Sequence, residues 1–410
     1  MRELALAVLM VGNLLLLPYL LLLLATAVAA VFTRRSPGPR PEDAPQSRFL
    51  IVIPAHDEES GIARTVQSCR SVAYPESLCG VVVIADNCAD RTAAVAAGAG
   101  ARVVERFDAE KKSKGYAIEY LIEKLVASGE FDALDALVIV DADTTIDAGL
   151  LRAFDRDLRR GRDWIQCYYT VANPEQSWRT RLMTYAFSLF NGVLPLGLNA
   201  LGASASFRGN GMCFSTRGLR RTPWRAHGLV EDIEYSWTIR MAGEWIAFEP
   251  AVSVAGAMVG SGGPAAAHQR RRWEFGRRDL RRKFLAPLLR SDRLGWWEKI
   301  LSVCELTMLP MGPLLSVSLL VLALDLLASS AAGREWSVAR GSLLGFSLLS
   351  TVSVGAYALS PFWAMRLPWR YLKTLAFFPL YVGWKLLVSF GGRPTAWIRT
   401  TRDSHADGLG

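Results

Sequence analysis

Apolar residues in the middle of this chain alternate between two spacings. Between residues 49 and 249, short continuous apolar runs are separated by segments in which apolar residues recur at helical spacing. The spacing predicts strands at residues 49–54, 80–85, 102–106 and 136–140, with helices at residues 61–71, 92–97 and 114–127 between them. Strands that alternate with helices are typical of a doubly wound α/β sheet, which is therefore the fold class we expect.

The N-terminal end of the chain is apolar over a length that can cross a bilayer. Residues 4–32 are almost wholly apolar, and arginines follow them at positions 34 and 35. The positive-inside rule places these arginines in the cytoplasm. We predict a transmembrane helix over residues 1–33 and a proline-rich linker over residues 34–48. A cleaved signal peptide is the alternative, but the apolar run is longer than its core.

The C-terminal part of the chain is also apolar, and we predict membrane segments over residues 300–390. Two spans are expected within it, at residues 300–327 and 342–363, with Glu305 facing protein or water. Residues 371–390 contain Lys373 and Lys385, and a further span there would place the basic tail, residues 391–410, outside the cytoplasm. We therefore predict a re-entrant or interfacial segment.

Two amphipathic stretches lie between the α/β region and these spans. Residues 284–299 mix basic residues with Trp296 and Trp297 directly before an apolar run, which predicts an interfacial helix. Residues 178–201 are aromatic and apolar, and they fit an interfacial helix or a buried core element equally well.

The charge of the chain, +9 at neutral pH, is concentrated in an arginine-rich segment between residues 270 and 283. Such a segment can bind nucleic acid, anionic lipid or a phosphorylated substrate. Because it adjoins apolar segments and no nucleic-acid module is recognisable, we expect no nucleic-acid partner. The cysteines form no Cys-x-x-Cys pair, which is typical of reduced thiols in a cytosolic domain.

Acidic residues follow several predicted strands at the point where each strand ends. Asp141 and Asp143 end the fourth strand, and Glu58 and Asp86 follow the first and the second. Open α/β sheets bind ligands at this edge, and paired carboxylates there suit Mg²⁺ or Mn²⁺ shared with substrate phosphates. Solvated loops and helix caps are the alternatives. Gly98-Ala99-Gly100 follows a helix, the wrong order for a dinucleotide-binding turn.

The motifs at these positions resemble those of a known enzyme family. The segment 52–59, the turn at Asp86 and Asp141-Ala142-Asp143 resemble the nucleotide-sugar half of family-2 glycosyltransferases, which has the GT-A fold. Residues 229–232 resemble that family's Thr-Glu-Asp segment, with Val230 in place of threonine. Residues 269–273 match the Gln-x-x-Arg-Trp motif of membrane-embedded members, which include the synthases of cellulose, chitin, hyaluronan and poly-N-acetylglucosamine. The resemblance implies a cytosolic GT-A domain over residues 49–283.

The resemblance also implies a role for individual residues. Asp232 is implied as the catalytic base, with Glu231 beside it, and Asp143 as the metal ligand. The residues implied to bind donor or acceptor are Ala55, Glu58 and Asp86 around uridine, Lys114 near the phosphates, Asp141 near the ribose or sugar, Gly209, Asn210 and Gly211 beside the acceptor, Gln269 and Arg272 at the diphosphate, and Trp273 stacked on the acceptor sugar.

These roles imply an inverting, metal-dependent hexosyltransferase in a membrane, expected to be the bacterial inner membrane, with its catalytic domain in the cytoplasm. Its expected donor is a UDP-sugar and its expected product a β-linked polysaccharide, made processively and coupled to translocation. Transfer of one sugar to a membrane lipid is the alternative. A non-catalytic membrane scaffold or export component is the alternative of another class. The expected partners are a glycan or lipid acceptor, membrane lipids and an export partner.

Overall fold

A mixed eight-stranded sheet forms the centre of the structure, a computed structural model that describes residues 2–33, 44–260, 263–308, 311–330, 338–389 and 391–392. The strands are β1 (Phe49–Ala55), β2 (Cys79–Asp86), β3 (Arg102–Arg106), β4 (Ala136–Ile139), β5 (Thr144–Ile146), β6 (Trp164–Val171), β7 (Met212–Ser215) and β8 (Ile246–Gly256), in the order β3-β2-β1-β4-β7-β6-β8-β5.

The first half of the sheet is parallel, as the sequence predicts. β1 pairs in parallel with β2 on one side and with β4 on the other, and β2 pairs in parallel with β3. The chain therefore leaves β1 in one direction and returns in the other, which opens a crevice at the carboxyl ends of β1 and β4. The predicted strands and intervening helices agree with the observed ones to within a residue or two at their ends.

The second half of the sheet differs from the parallel arrangement that the sequence predicts. β7 is antiparallel to both β4 and β6, and β5 is antiparallel to β8. β7 contains four residues and β5 contains three. Strands this short carry no clear alternation of apolar and polar residues, and their pairing depends on contacts that are distant in sequence.

The α-helices that the structure describes are α1 (Arg2–Phe32), α2 (Ile62–Arg70), α3 (Thr92–Gly98), α4 (Lys114–Ala127), α5 (Leu150–Arg159), α6 (Trp178–Phe187), α7 (Leu194–Ala200), α8 (Thr216–Arg221), α9 (Glu231–Met241), α10 (Pro264–Arg290), α11 (Trp296–Thr307), α12 (Met311–Ser330), α13 (Val338–Leu359), α14 (Pro361–Ala364) and α15 (Phe378–Ser389). A π-helix (Ser188–Val193) joins α6 to α7, and a 3₁₀ helix (Trp369–Phe377) precedes α15.

Each face of the sheet contributes to a separate core. Alternate residues of β1 point to opposite faces, so Phe49 and Ile51 pack with α2, α3 and α5, whereas Leu50 and Val52 pack with α4, α8 and α9. The core on the second face continues without interruption into the apolar helices, because it also contains Leu20 of α1. The apolar helices are thus packed on the α/β domain.

Two described helices are long and apolar enough to cross a membrane, by length and composition. They are residues Met10–Phe32, with a mean hydropathy of 2.6, and Gly341–Ala364, with a mean hydropathy of 1.5. Both also expose large apolar side chains, including Leu15 at 67% and Val352 at 61%. These segments coincide with two of the spans predicted from the sequence.

One of the remaining C-terminal predictions needs correction. Residues 300–327 are not one span: α11 ends at Thr307, Met308 has ψ 130°, and a new helix begins at Met311. The extended ψ of Met308 ends α11, because an α-helix requires ψ near −42°. Within residues 371–390, a 3₁₀ helix extends to Phe377 and α15 follows it, and the re-entrant or interfacial position of this segment stays a prediction.

The boundary predicted at residue 283 lies inside α10, which runs unbroken to Arg290. Residues 284–299 are therefore not a separate interfacial helix: they form the end of α10, a short connection and the start of α11. Residues 178–201 form α6, the π-helix and α7, and most of their side chains are buried within the protein. Residues 34–43 of the predicted linker and 393–410 of the predicted tail lie outside the described residues.

Candidate active site

A cavity of about 360 Å³ lies at the carboxyl ends of β1 and β4. Five elements surround it: the loops after β1 and β4, the N-termini of α4 and α9, and the first turns of α10. Of the residues implied by the sequence motifs, those that line this cavity are Glu58, Lys114, Asp141, Asp143, Gly209, Glu231, Asp232, Gln269, Arg272 and Trp273. The fold thus brings together motifs that are separated by more than half of the chain.

Lys114, at the N-terminus of α4, connects several of these motifs. Its ammonium donates to Asp141 Oδ1 at 2.5 Å and to the carbonyl of Gly209, and it lies 4.0 Å from Glu231 Oε1. Burial disfavours the charge on Lys114, but Asp141, Glu231 and Asp232 outweigh burial and raise its pKa above the usual value. The cavity therefore contains a permanent cation among carboxylates.

Asn210 supports the Asp141–Thr144 turn from beneath and does not line the cavity. It is fully buried, its Oδ1 accepts from the Asp141 amide at 3.2 Å, and its Nδ2 donates to Thr144 Oγ1 at 2.7 Å. The glycines on either side both have left-handed backbones, with φ 83° at Gly209 and 67° at Gly211. A Cβ on Gly209 would lie 3.2 Å from Asp232 Oδ2, so this loop lies directly beside the implied base.

Glu231 and Asp232 form the first turn of α9. Burial raises the pKa of Glu231 to about 7, with Lys114 opposing the shift and Asp232 adding to it. Burial likewise raises the pKa of Asp232, and Lys114 again opposes it. Carboxylates with raised pKa values in a cleft are typical of general acid–base groups, since they accept protons near neutral pH.

The loop before α9 is fixed by contacts on both sides. Glu234 accepts from the Gly228 amide at 2.8 Å and from Lys283 Nζ at 2.5 Å, which ties the loop to α9 and α10. Val230, which stands where the family motif has threonine, is buried against Gly276 of α10. A Cβ at Gly276 would lie 2.6 Å from Val230 Cγ2. An apolar residue at this position thus has a packing role.

The Gln-x-x-Arg-Trp motif lies in the first turns of α10. Gln269, Arg272 and Trp273 line the cavity, and the positive charge of Arg272 lowers the pKa of Glu231. Arg272 Nε is buried and forms no hydrogen bond with a described residue. The guanidinium is thus free to bind an anion in the cavity. His268 does not line the cavity. Burial lowers the pKa of its imidazole, and the positive charge of Arg272 lowers it as well.

Besides Asn210, three residues implied by the resemblance lie outside the cavity wall. Ala55 is buried at the end of β1, and Gly211 is packed beneath the loop, where a Cβ would lie 2.3 Å from Cys167 Sγ. Asp86 is fully buried and accepts from Arg106 Nη1 at 2.6 Å. Burial raises the pKa of Asp86, and Arg106 partly offsets that effect.

The cavity wall also includes residues to which the motifs assigned no role. His56 occupies the edge above Asp86, with Nδ1 2.8 Å from the Asp86 carbonyl oxygen. His227 stacks on the Tyr116 ring, with centroids 4.0 Å apart, and its Nε2 lies 2.9 Å from Glu119 Oε2. Arg208, next to the implied Gly209, also lines the wall. Its position directly before the glycine loop was the available signal.

The donor set around Asp143 fits a hard divalent cation. The Asp143 carboxylate lines the cavity beside Asp141, and the Thr144 hydroxyl lies 3.4 Å from Asp143 Oδ1. Mg²⁺ and Mn²⁺ are bound by one or two carboxylates and completed by substrate phosphates and water, for which the cavity has space. Asp143 as the ligand of such an ion stays a prediction, and the described acidic and cysteine side chains that lie close enough together to share an ion are Asp57, Cys88 and Asp90.

Comparisons with known proteins agree with this geometry. A hexosyltransferase of low-salt glycan biosynthesis from Haloferax volcanii, Agl6, is 32% identical over 118 residues, which cover 27% of this chain and 26% of that protein. The mannosyltransferase PcManGT from Pyrobaculum calidifontis, solved with GDP-Man and Mn²⁺, superposes with a TM-score of 0.54 at 18% identity, covering 95% of this chain and 99% of that chain. This likeness shows a shared GT-A-like fold.

The family assignment rests on the sequence profile described as "Glycosyltransferase like family 2", which matches residues 45–276. The match spans the whole sheet and ends three residues after the Arg272-Trp273 pair. The chain therefore belongs to glycosyltransferase family 2.

Proposed function

We propose that this protein is an inverting glycosyltransferase that transfers a hexosyl group from a nucleoside diphosphate sugar to an acceptor hydroxyl. One observation carries the proposal: a single cavity is lined by Arg272, which can bind an anion, by Asp143, which can bind a diphosphate through a divalent cation, and by Asp232, which can act as a base. Leaving-group stabilisation and proton removal are the two tasks that this reaction requires.

The residues of the cavity divide these tasks. Arg272 and Gln269 hold the donor diphosphate, and Lys114 adds positive charge while it keeps Asp141 in place. A divalent cation on Asp143, when bound, neutralises charge that develops on the diphosphate. Trp273 offers an indole face to a sugar ring. As the acceptor oxygen bonds to the anomeric carbon, its proton passes to Asp232, and the nucleoside diphosphate leaves with the electrons of the broken bond.

A single base opposite the leaving group produces inversion, so an α-linked donor would give a β-linked product. The predicted donor nucleotide is UDP, and the fold relative from Pyrobaculum was solved with GDP-Man. Both nucleotides therefore belong in the test. Asp86, implied to border uridine, is bonded to Arg106 and lies outside the cavity wall, so it gives no support to UDP over GDP.

The acceptor side supports a lipid acceptor over a polysaccharide. A second cavity of about 440 Å³ adjoins the first, and Asp232 lines both. Apolar side chains of α6, α12, α13 and α15 dominate its wall. Sugar hydroxyls against these apolar side chains would lack hydrogen-bond partners, whereas a hydrocarbon chain needs none. Processive polysaccharide synthesis, the expectation from the Gln-x-x-Arg-Trp motif, stays a prediction, as does an export partner.

The apolar helices support a position in a membrane, with the α/β domain on the cytoplasmic side where nucleotide sugars are found. Met10–Phe32 and Gly341–Ala364 have the length and composition of spans. The bacterial inner membrane remains the predicted location. A membrane position would give a lipid acceptor direct access to the second cavity.

Nucleotide release by the full-length protein in detergent tests the proposal. The assay uses UDP- and GDP-sugars with Mn²⁺ or Mg²⁺, with and without lipid extract as acceptor. We expect release that Asp232→Asn reduces at least about 100-fold, because a general base contributes about that much. Asp292→Asn, which changes an exposed carboxylate, is the matched control. A product of one sugar on an organic-soluble lipid supports lipid transfer, and a long glycosidase-sensitive chain would support the polymer prediction.

Two results would contradict the proposal. Turnover by Asp232→Asn at the rate of the unmodified protein would remove Asp232 from the reaction. If no donor releases nucleotide with any acceptor, the non-catalytic scaffold becomes the better interpretation.

A further inference from the structure

The second cavity is formed by one face from each of several helices. On α10 the lining residues lie three and four positions apart, so they share one side of the helix, and the same holds on α13 and α15. The residues that line it from these helices are Arg270, Trp273 and Arg277 of α10, Thr351, Val354, Gly355 and Ala358 of α13, and Phe378, Tyr381, Val382 and Lys385 of α15. Asp232 lines both this cavity and the catalytic cavity, so the two cavities adjoin.

Positive charge is concentrated where the two cavities meet. Arg208 and Trp273 line both cavities, and Arg270 and Arg277 lie one turn before and after Trp273 on the same face of α10. Lys385 of α15 lines the same region and is 7% exposed. Four cations therefore adjoin an otherwise apolar cavity, an arrangement that is costly unless anions accompany them.

The protein itself neutralises only part of this charge. Glu274 is shared, with Oε1 2.6 Å from Arg270 Nη2 and 3.1 Å from Lys385 Nζ. Arg208 lies 4.0 Å from Glu305, and its Nε and Nη2 are buried with no hydrogen bond to a described residue. No residue in the described part of the chain forms a salt bridge with Arg277. The cluster thus has donors and charge left for a ligand.

The pKa values of two residues in the cluster reflect the same excess of positive charge. Burial, followed by the charge of the neighbouring Arg270, lowers the pKa of Arg277 to about 10. Burial, followed by Arg270, lowers the pKa of Lys385 to about 8. A bound anion would reverse these electrostatic effects.

We infer that the acceptor is a lipid phosphate: its hydrocarbon tail occupies the helix-lined cavity, its phosphate ester binds Arg208, Arg270, Arg277 and Lys385, and its accepting hydroxyl lies at Asp232. The inference rests on the proposed function and specifies its acceptor class. A neutral lipid would leave the excess positive charge of the cluster, which Glu274 and Glu305 offset only in part, without a further anion. A free phosphate would leave the apolar walls unused. A lipid phosphate matches both parts of the surface.

The reaction on such an acceptor leaves the phosphate unchanged. The acceptor hydroxyl oxygen forms the new bond to the anomeric carbon, and its proton goes to Asp232. The bond between that carbon and the donor diphosphate breaks, with its electrons leaving on the nucleoside diphosphate. The cation cluster holds the acceptor phosphate beside this centre, so it acts in binding and orientation.

Equilibrium binding of radiolabelled farnesyl phosphate to the full-length protein in detergent tests the tail and phosphate parts of the inference, because this probe carries both but has no separate accepting hydroxyl. Farnesol, which lacks the phosphate, and inorganic phosphate, which lacks the tail, are the comparison ligands. We expect farnesyl phosphate to bind at least about tenfold more tightly than either, and Arg277→Gln to remove about tenfold of that affinity, as expected for loss of one charge-assisted contact. Arg278→Gln, an exposed neighbour on α10 outside the cavity wall, is the matched control and should bind like the unmodified protein.

Binding of UDP or GDP with Mn²⁺ is measured on the same samples, so that the proposed function and the inferred acceptor are tested separately. Nucleotide binding that Arg272→Gln weakens, together with no preference for farnesyl phosphate over farnesol, would overturn the inference and leave the proposed function intact. Equal displacement by inorganic phosphate would also overturn it, since the site would then hold a free anion. Nucleotide binding that is absent or unaffected by Arg272→Gln would overturn the proposed function and the inference together. Retained nucleotide binding by Arg277→Gln shows that this variant is folded.

Discussion

Arg240 Nη1 donates to Glu305 Oε2 at 2.8 Å, and this buried ion pair joins α9, which begins with the implied catalytic base, to α11. The same guanidinium donates to the carbonyls of Ser204 and Ala205. Glu305, expected from the sequence to face protein or water, therefore faces the α/β domain. The contact fixes the C-terminal helices on the domain that carries the active site.

Removal of the Glu305 charge should destabilise this junction. Glu305→Gln leaves Arg240 buried without its counter-charge, and we expect the free energy of unfolding to fall by about 3 kcal/mol, the lower end of the range for breaking one side of a buried pair. Glu123→Gln, which changes an exposed glutamate of α4, is the control and should change stability by less than about 0.5 kcal/mol. Denaturant unfolding in detergent measures both. Equal stability of the two variants would show that the ion pair does not hold the junction together.

Close packing of Gly276 on Val230 predicts a different kind of defect. In Gly276→Ala the added Cβ would lie 2.6 Å from Val230 Cγ2, so α10 must move away from the loop that carries Asp232. We expect a cost of about 1–3 kcal/mol in stability, with a fall in kcat. Val230→Ala in the same chain should restore part of both. Gly98→Ala is the control, because a Cβ there has nothing within 4 Å. Additive effects of the two substitutions would contradict the proposed contact.

The acid side of the pH–rate profile should depend on Arg208. Burial raises the pKa of Asp232, and the positive charge of Arg208 lowers it, so both act on the pH at which the base becomes available. Arg208→Gln removes a charge that favours the ionised form, and the pKa of Asp232 should rise. Activity that requires ionised Asp232 should then be lost at a higher pH on the acid side.

Measurement of kcat/KM for the donor across pH tests this shift, because that ratio reports the free enzyme. Arg208→Lys keeps the charge, and its acid limb should stay close to that of the unmodified protein. An acid limb that moves to lower pH in Arg208→Gln, or does not move, would show that another group limits the rate.

The sequence predicted the parallel half of the sheet because each of its strands is a continuous apolar run followed by polar residues. The antiparallel half was missed, since strands such as Met212–Ser215 are too short to show a period and depend on partners far along the chain. The helices of the C-terminal part were predicted as apolar segments, but their ends were not. The boundary predicted at residue 283 lies inside the helix that ends at Arg290. The basic residues follow the same pattern on both sides of that boundary, so the sequence did not show that the helix continues.

The candidate site was likewise predicted only in part. Short motifs predicted residues such as Asp143 and Arg272, which line one cavity because each motif directly follows a strand or begins a helix. Asp86 was implied to face the donor, but Arg106 on the neighbouring strand binds its carboxylate, a contact that no local pattern reveals. The second cavity was not predicted, because its wall combines helix faces from distant parts of the chain and exists only in the folded state.

Lys385 should make lipid-phosphate binding sensitive to alkaline pH. It faces Arg270, Arg277 and Glu274, and burial together with Arg270 lowers its pKa to about 8. A lowered lysine pKa means that the ammonium loses its charge as the pH rises through that value, so farnesyl phosphate should bind up to about tenfold more weakly at pH 9 than at pH 7. Lys385→Arg keeps its charge over this range and should bind with little change. Binding of the unmodified protein that does not weaken between pH 7 and pH 9 would exclude Lys385 from the phosphate site, because the remaining arginines stay charged throughout this range.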